Sequence, residues 1–270
     1  MGKFRGVLLA SDFDGTLTDS SGSIVPRNTE AIRYFISEGG FFTISTGRTA
    51  AGFHNYSEDI INAPVLLANG AMAYDYKTQQ AAFINGIGND NLDILKRIVD
   101  KFPDISVELY GADNKTYVLN CNRDSACHFE NLRINDVISI LSLEEVAFPL
   151  VKVMLSVGEK TFEVQRYLDT VELGSLKYIP CSGSFVEILS KNAGKGNALL
   201  QLADILKVNS SDIYAVGDGS NDVDMLESAH TGFVPENGDA YAKKAAGIIV
   251  CDNNTGSIYN VIDILDKKYQ

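Results

Sequence analysis

The chain has 270 residues, with 35 acidic and 23 basic side chains and a formal charge of −12. With 45% hydrophobic residues and a mean hydropathy of −0.01, it can bury a sizeable core and is not a disordered tail. A pI near 4.7 excludes a general nucleic-acid binder, which needs excess Lys and Arg to displace phosphate counterions, and the length favours two domains.

Val7–Ser11 is a short, nearly all-apolar run ending in acidic and turn residues, as expected of a strand buried on both faces of a parallel sheet. Pro26–Glu38 carries Ala31, Ile32, Phe35 and Ile36 at helical spacing and stops at Gly39-Gly40. Phe41–Ser45 is a second buried strand, and Val65–Ala68 a third, followed by Asn69-Gly70. From Phe83 to Leu189 the strands alternate instead: Ser106–Tyr110, Thr116–Cys121, Lys152–Val157, Ser175–Cys181 and Ser184–Leu189. Period-2 alternation predicts an antiparallel sheet with one packed and one wet face, accompanied by helices at Asn91–Lys101 and Lys160–Leu173. From Gly194 the α/β rhythm resumes: helix Asn197–Leu206, strand Ile213–Val216, a short helix from Asn221, strand Ile248–Cys251 and a terminal helix from Ser257. The expected fold is α/β, a Rossmann-like doubly wound parallel-sheet core formed by 1–82 and 190–270. An α+β domain, 83–189, is inserted into it.

The four cysteines (Cys121, Cys127, Cys181, Cys251) are too few and scattered for a disulfide framework. Cys121, Cys127 and His128 do not have zinc-site spacing. The apolar stretch Val7–Ala10 is too short for a signal-peptide core, and no run approaches the length of a membrane span. The expected location is cytoplasmic, with no membrane partner and no nucleic acid.

Three predicted core strands run into polar turns, which should converge because ligands of open α/β sheets bind outside the carboxyl ends of the strands. They are Asp12-Phe13-Asp14-Gly15-Thr16-Leu17, Ser45-Thr46-Gly47-Arg48 and Gly217-Asp218-Gly219-Ser220-Asn221-Asp222; Gly194-Lys195-Gly196 opens a helix. Clustered carboxylates repel one another unless a cation enters. A hard divalent ion suits oxygen donors, and Mg²⁺ suits a site where the substrate adds a phosphate oxygen. One carboxylate can act as a covalent nucleophile and a second as acid and base. Asp218–Asp224 is not a calcium loop, because Val223 and Ala229 stand where glycine and glutamate belong. Gly194-Lys195-Gly196 is not a P-loop, because Leu189 and Asn197 break the pattern.

These motifs, in this order, resemble the four motifs of the haloacid dehalogenase-like (HAD) superfamily, and the insert between the second and third resembles the C2-type cap of the Cof-type phosphatases. The resemblance spans the whole chain. It implies that Asp12 is the nucleophile and Asp14 the general acid and base. Thr46, Gly47 and Asn221 bind phosphate, and Lys195 offsets charge. Mg²⁺ is held by Asp12, the Asp14 carbonyl, Asp218 and Asp222, the last directly or through water. Lys191 is a nearby alternative to Lys195, and Arg48 either reaches substrate or pins its loop. Phe233–Gly238 departs from the family's usual stretch at that point. The implied activity is Mg²⁺-dependent hydrolysis of a small phosphorylated metabolite, a sugar phosphate by resemblance. The alternatives are a phosphomutase using the same aspartyl-phosphate, or a regulatory protein that binds metal and phosphoester without turnover.

Overall fold

The computed structural model describes residues 2–181 and 183–270. The chain begins with β1 (Leu8–Ser11), α1 (Pro26–Ser37), β2 (Phe41–Ile44), β3 (Val65–Leu67), β4 (Met72–Asp75) and β5 (Gln80–Ile84). It continues through α2 (Leu92–Lys101), β6 (Ser106–Gly111), β7 (Thr116–Leu119), α3 (Arg123–Leu132), β8 (Val137–Ile140), β9 (Leu150–Ser156), α4 (Thr161–Leu168), β10 (Leu176–Pro180) and β11 (Phe185–Ser190). It ends with α5 (Lys195–Leu206), β12 (Ile213–Val216), α6 (Val223–Ser228), β13 (Thr231–Pro235), α7 (Ala240–Ala245), β14 (Ile248–Val250) and α8 (Ser257–Lys268).

One compact unit comprises the chain up to Gly47, Asn55–Phe83 and Gly194–Gln270. Its five-stranded parallel sheet has the order β14-β13-β12-β1-β2, with Leu8 opposite both Ile213 and Phe41. The nearly all-apolar β1 lies at an inner position of that sheet. Leu8 and Ala10 point into a core shared with Ala198, Leu199 and Leu202 of α5 and Met225 and Leu226 of α6. Alternation sends Leu9 to the opposite face, the side on which α1 and α8 pack together. A parallel bridge from Ser45 to Leu66 sets β3 beside β2, and β3-β4-β5 form a second, three-stranded sheet. Sequence periodicity gave no sign of β4, β5 or β13. Among the described residues, no helix is long and apolar enough to cross a membrane.

The second unit comprises Arg48–His54 and Ile84–Ala193. The segment expected as continuous core, 1–82, is therefore interrupted. Gly52 lies against Leu132 and Ile134, and His54 Nε2 is 3.0 Å from the Leu132 carbonyl oxygen, so this short stretch goes with the insert. The sheet has the order β10-β11-β9-β6-β7-β8 and is antiparallel except for β7–β8. One face, with Val107, Leu109, Val153, Leu155, Val186 and Ile188, packs on Leu95 and Ile98 of α2 and Val164 and Leu168 of α4. The other face was expected to be wet and is buried instead. Ser106, Glu108, Tyr110, Lys152, Met154, Ser156 and Glu187 are all largely hidden from solvent. Part of the cover is α3, a helix too polar to register as an apolar stripe. It is capped by Asn122 and bonded to the sheet through Ser125–Ser106 (2.8 Å) and His128–Glu108 (2.7 Å).

Candidate active site

β1 ends at Ser11, and Asp12 continues it in extended backbone, its N–H donating to the Val216 carbonyl on the neighbouring strand (2.8 Å). The chain then turns sharply. Gly15 has φ of +81°, and a Cβ there would stand 2.6 Å from Asp218 Oδ2, so both conformation and space demand glycine. The turn is tied down from several places. Thr16 Oγ1 donates to Asp218 Oδ1 (2.6 Å), Ser257 Oγ donates to the Thr16 carbonyl (2.7 Å), and Asn237 Nδ2 donates to the Gly15 carbonyl (2.8 Å). From β2, Ser45 N–H donates to the Ser11 carbonyl (2.8 Å), which sets Thr46 and Gly47 beside the first turn. Asn69, in left-handed backbone, donates its N–H to the Thr46 carbonyl (3.0 Å).

Lys195 is the first residue of α5 and is 1% exposed. Its Nζ donates to Asp12 Oδ1 (2.5 Å) and to Asp222 Oδ1 (2.6 Å). The other Asp222 oxygen, Oδ2, accepts from the N–H groups of Asp218 (3.1 Å) and Gly219 (2.9 Å). Asp222 is thus spent on the lysine and on shaping its own loop. Asp12, Asp218 and Asp222 each bring a carboxylate oxygen within 4.8 Å of the others. Asp14 and Asn221, each near this group in sequence, are exposed, and Asp14 is not part of the cluster.

The electrostatics follow from burial. Asp12 is pushed up to about 8, first because burial penalises its charged form; the charges of Asp222 and Asp218 add to this, and Lys195 opposes it. Burial likewise raises Asp218, against the hydrogen bond from Thr16. Burial by itself would lower Lys195, but the charges and hydrogen bonds of Asp12 and Asp222 overturn this and hold it well above the ordinary lysine value. Three carboxylates share one ammonium group, leaving excess negative charge in a closed place. The donors are all hard oxygens, the set that Mg²⁺ prefers, so these residues fit a divalent ion.

Lys191 and Arg48, also weighed from sequence, make hydrogen bonds within the second unit. Lys191 Nζ donates to the Gly174 carbonyl in the second unit (2.6 Å), so Lys195 is the lysine of this cluster. Arg48 donates to the Gly52 carbonyl (3.3 Å), within its own loop. Tyr110 lies on the polar face of the insert's sheet and donates to Glu108 Oε2 (2.7 Å). All four cysteines are unbridged. Sequence reasoning missed the contributions of Asn237 and Ser257. Neither sits in a motif, and each acts across more than 220 residues of chain. Asn237 falls inside the stretch noted as unusual, and that departure was the available signal.

A parallel α/β core that gathers carboxylates and a buried ammonium group at its carboxyl strand ends is the arrangement of an α/β enzyme site. More narrowly, the chain belongs to the haloacid dehalogenase-like hydrolases, whose family profile matches residues 9–262. It is 26% identical over 289 residues to a 5-amino-6-(5-phospho-D-ribitylamino)uracil phosphatase of Bacillus subtilis, covering 97% of this chain and 99% of that protein. It is 24% identical over 277 residues to a pyridoxal phosphate phosphatase of Escherichia coli, covering 94% and 97%. Among solved structures, a haloacid dehalogenase-like hydrolase from Bacteroides thetaiotaomicron superposes with a TM-score of 0.85 at 21% identity, covering 96% of this chain and 99% of that one. A HAD subclass IIB sugar phosphatase superposes at 0.81 with 19% identity, covering 96% and 99%.

Proposed function

We propose that this enzyme is a Mg²⁺-dependent phosphatase that hydrolyses a small phosphomonoester, a sugar phosphate by preference, through an aspartyl-phosphate on Asp12. The observation that carries the reading is the placement of Asp12 at the end of β1, bonded to the buried Lys195 and clustered with Asp218. Two relatives are named for small phosphorylated compounds and one structural neighbour for a sugar phosphatase, which supports this substrate class.

In this scheme an Asp12 carboxylate oxygen forms a bond to phosphorus while the ester P–O bond breaks. Asp14 gives its proton to the departing alkoxide oxygen. Asp14 then takes a proton from water, whose oxygen attacks phosphorus as the bond to Asp12 breaks, releasing inorganic phosphate. Lys195 stays cationic throughout and draws negative charge away from Asp12 and the phosphoryl oxygens. Thr46, the Gly47 N–H and Asn221 orient the phosphoryl group. Mg²⁺ would be held by Asp12, Asp218 and the Asp14 carbonyl, with Asp222 acting through water or through Lys195, and would offset repulsion between anionic nucleophile and anionic substrate. The insert, expected at 83–189, serves as the cap domain that chooses the leaving group.

Asp12→Asn keeps the shape of the side chain and one acceptor oxygen for Lys195 but removes the nucleophile. Phosphate release with saturating Mg²⁺ should fall on the order of a thousandfold or more, with an unchanged far-UV circular dichroism spectrum. Activity within tenfold of the parent enzyme would refute the aspartyl-phosphate route. Isomerised sugar phosphate without free phosphate would instead identify a mutase.

A further inference from the structure

Every contact that Lys195 makes depends on where α5 begins, and α5 begins with little of its own to hold it. The residue before the helix, Gly194, has extended backbone and no side chain to cap the free N–H groups of the first turn. The missing acceptor comes from another helix: Asp224 Oδ2, on the first turn of α6, accepts from the Gly196 N–H at 3.0 Å. The fit around this bond is tight. A Cβ on Gly194 would stand 2.9 Å from Asp224 Oδ2, and one on Gly196 would stand 2.3 Å from the Asp224 carbonyl oxygen. On the other side Gly70, at φ +84°, would place a Cβ 2.2 Å from the Gly194 carbonyl oxygen. Lys195 thus stands between two glycines whose backbone is packed against neighbours at closest approach, and its Nζ must meet Asp12 and Asp222 at 2.5 and 2.6 Å.

We propose that Asp224 is a positioning residue for catalysis. By capping α5 from α6 in place of the side chain that Gly194 lacks, it fixes the height and rotation of the first turn, and with them the Lys195 ammonium between Asp12 and Asp222. The proposal rests on the reading of Lys195 as the charge-offsetting group of the phosphatase reaction. A carboxylate at this point is also favoured by the positive end of the twelve-residue α5.

The geometry supplies its own rescue. Among the described residues, and apart from its chain neighbours, what lies within 4 Å of a Gly194 Cβ is Asp224 Oδ2 at 2.9 Å and Asn197 Cβ at 4.0 Å. With Asp224→Ala in place, Gly194→Ser therefore finds room and brings a cap oxygen from the ordinary position. Steady-state phosphate release is measured for Asp224→Ala, Asp224→Asn and the double variant Gly194→Ser/Asp224→Ala, with folded fraction checked by circular dichroism at the assay temperature. Misplacement of a catalytic group by a fraction of an ångström to an ångström lowers turnover by about ten- to a hundredfold. Asp224→Ala should lose kcat by that factor with KM within about twofold while remaining folded. Asp224→Asn, which keeps an acceptor oxygen, and the double variant should both recover to within about threefold of the parent.

Full kcat in Asp224→Ala overturns the proposal, as does a loss that follows only the unfolded fraction or that neither rescue repairs. If Asp224→Ala does not fold, the decision falls to the double variant: parental kcat supports the proposal and reduced kcat overturns it. Asp12→Asn run alongside separates the two readings. Activity surviving there removes the reaction assigned to the site, whereas an inactive Asp12→Asn beside a fully active Asp224→Ala removes only the role of Asp224.

Discussion

Lys195 is the residue on which the site turns, since one buried ammonium group holds two carboxylates together. Lys195→Ala would leave Asp12 and Asp222 adjacent, buried and without their cation. Breaking a buried ion pair from one side costs about 3–5 kcal/mol, so the variant should melt well below the parent in metal-free buffer. Part of that loss should return with Mg²⁺, because an added cation supplies the missing charge; no recovery would argue against a metal in this cluster. Asp12 makes the companion prediction. Its carboxyl is raised by burial to about 8 against 3.8 in the unfolded chain, so between those values the folded protein holds a proton that the unfolded chain has lost. Stability from this group is therefore fully present below about pH 4 and is lost as pH rises through 8. If Asp12 holds Mg²⁺ as proposed, binding must expel the same proton, and apparent Mg²⁺ affinity should rise up to tenfold per pH unit between 6 and 8. Calorimetric titrations at three pH values check this, and a flat profile would mean that Asp12 is already ionised at pH 6.

At the scale of elements, the convergence of the polar turns could be read from sequence because each follows a largely apolar strand, and a parallel sheet delivers such strands with their carboxyl ends together. What escaped sequence reasoning was whatever depends on distant partners. The hairpin β4–β5 carries no strong period, α3 has no apolar stripe, and Asn237, Ser257 and Asp224 act on residues 28 to 241 positions away. The polar face of the insert is the clearest case. Alternation along β6 correctly separated Val107 and Leu109 from Ser106, Glu108 and Tyr110, but could not show that α3 lies over the second set. Buried there, Glu108 accepts from Tyr110 and pairs with His128 through the same oxygen. Glu108→Ala would strand the Tyr110 hydroxyl away from water, at a cost of about 1–3 kcal/mol. Urea unfolding should show a lower midpoint, and Tyr110→Phe added to Glu108→Ala should recover part of it. The glycine contact at α5 gives a second prediction. Gly70→Ala combines left-handed backbone with a 2.2 Å overlap on the Gly194 carbonyl oxygen, so it should destabilise by about 1–3 kcal/mol and lower kcat, whereas Gly22→Ala meets nothing within 4 Å. Both glycines have positive φ, so the difference between the two melting temperatures isolates the packing of α5 from the cost of the backbone.

For the molecule as a whole, the charge of −12 sets how an anionic substrate arrives. Exposed pairs such as Arg33–Asp59 and Lys267–Asp263 cancel locally and do little to the sum. The site itself sets Asp218 and Asp222 against Lys195, with Asp12 adding a further negative charge once its proton is lost, so the cluster has no net positive charge with which to draw in a phosphate ester. On the proposed reading the attraction is short-ranged, carried by Lys195 and, once bound, a divalent cation. Salt discriminates this from a basic funnel. At about 0.01 M ionic strength the Debye length is roughly 30 Å and an approaching phosphate dianion meets the repulsion of much of the protein; at 0.15 M it is about 8 Å and most of that field is gone. With free Mg²⁺ held saturating, kcat/KM for a small phosphate ester should rise by a few-fold over that range of KCl, and kcat should stay constant. An enzyme that steers its substrate with positive charge gives the opposite slope. A several-fold fall in kcat/KM with salt would place a basic approach path on this protein, and the role of the metal would shrink from admitting the substrate to completing the chemistry.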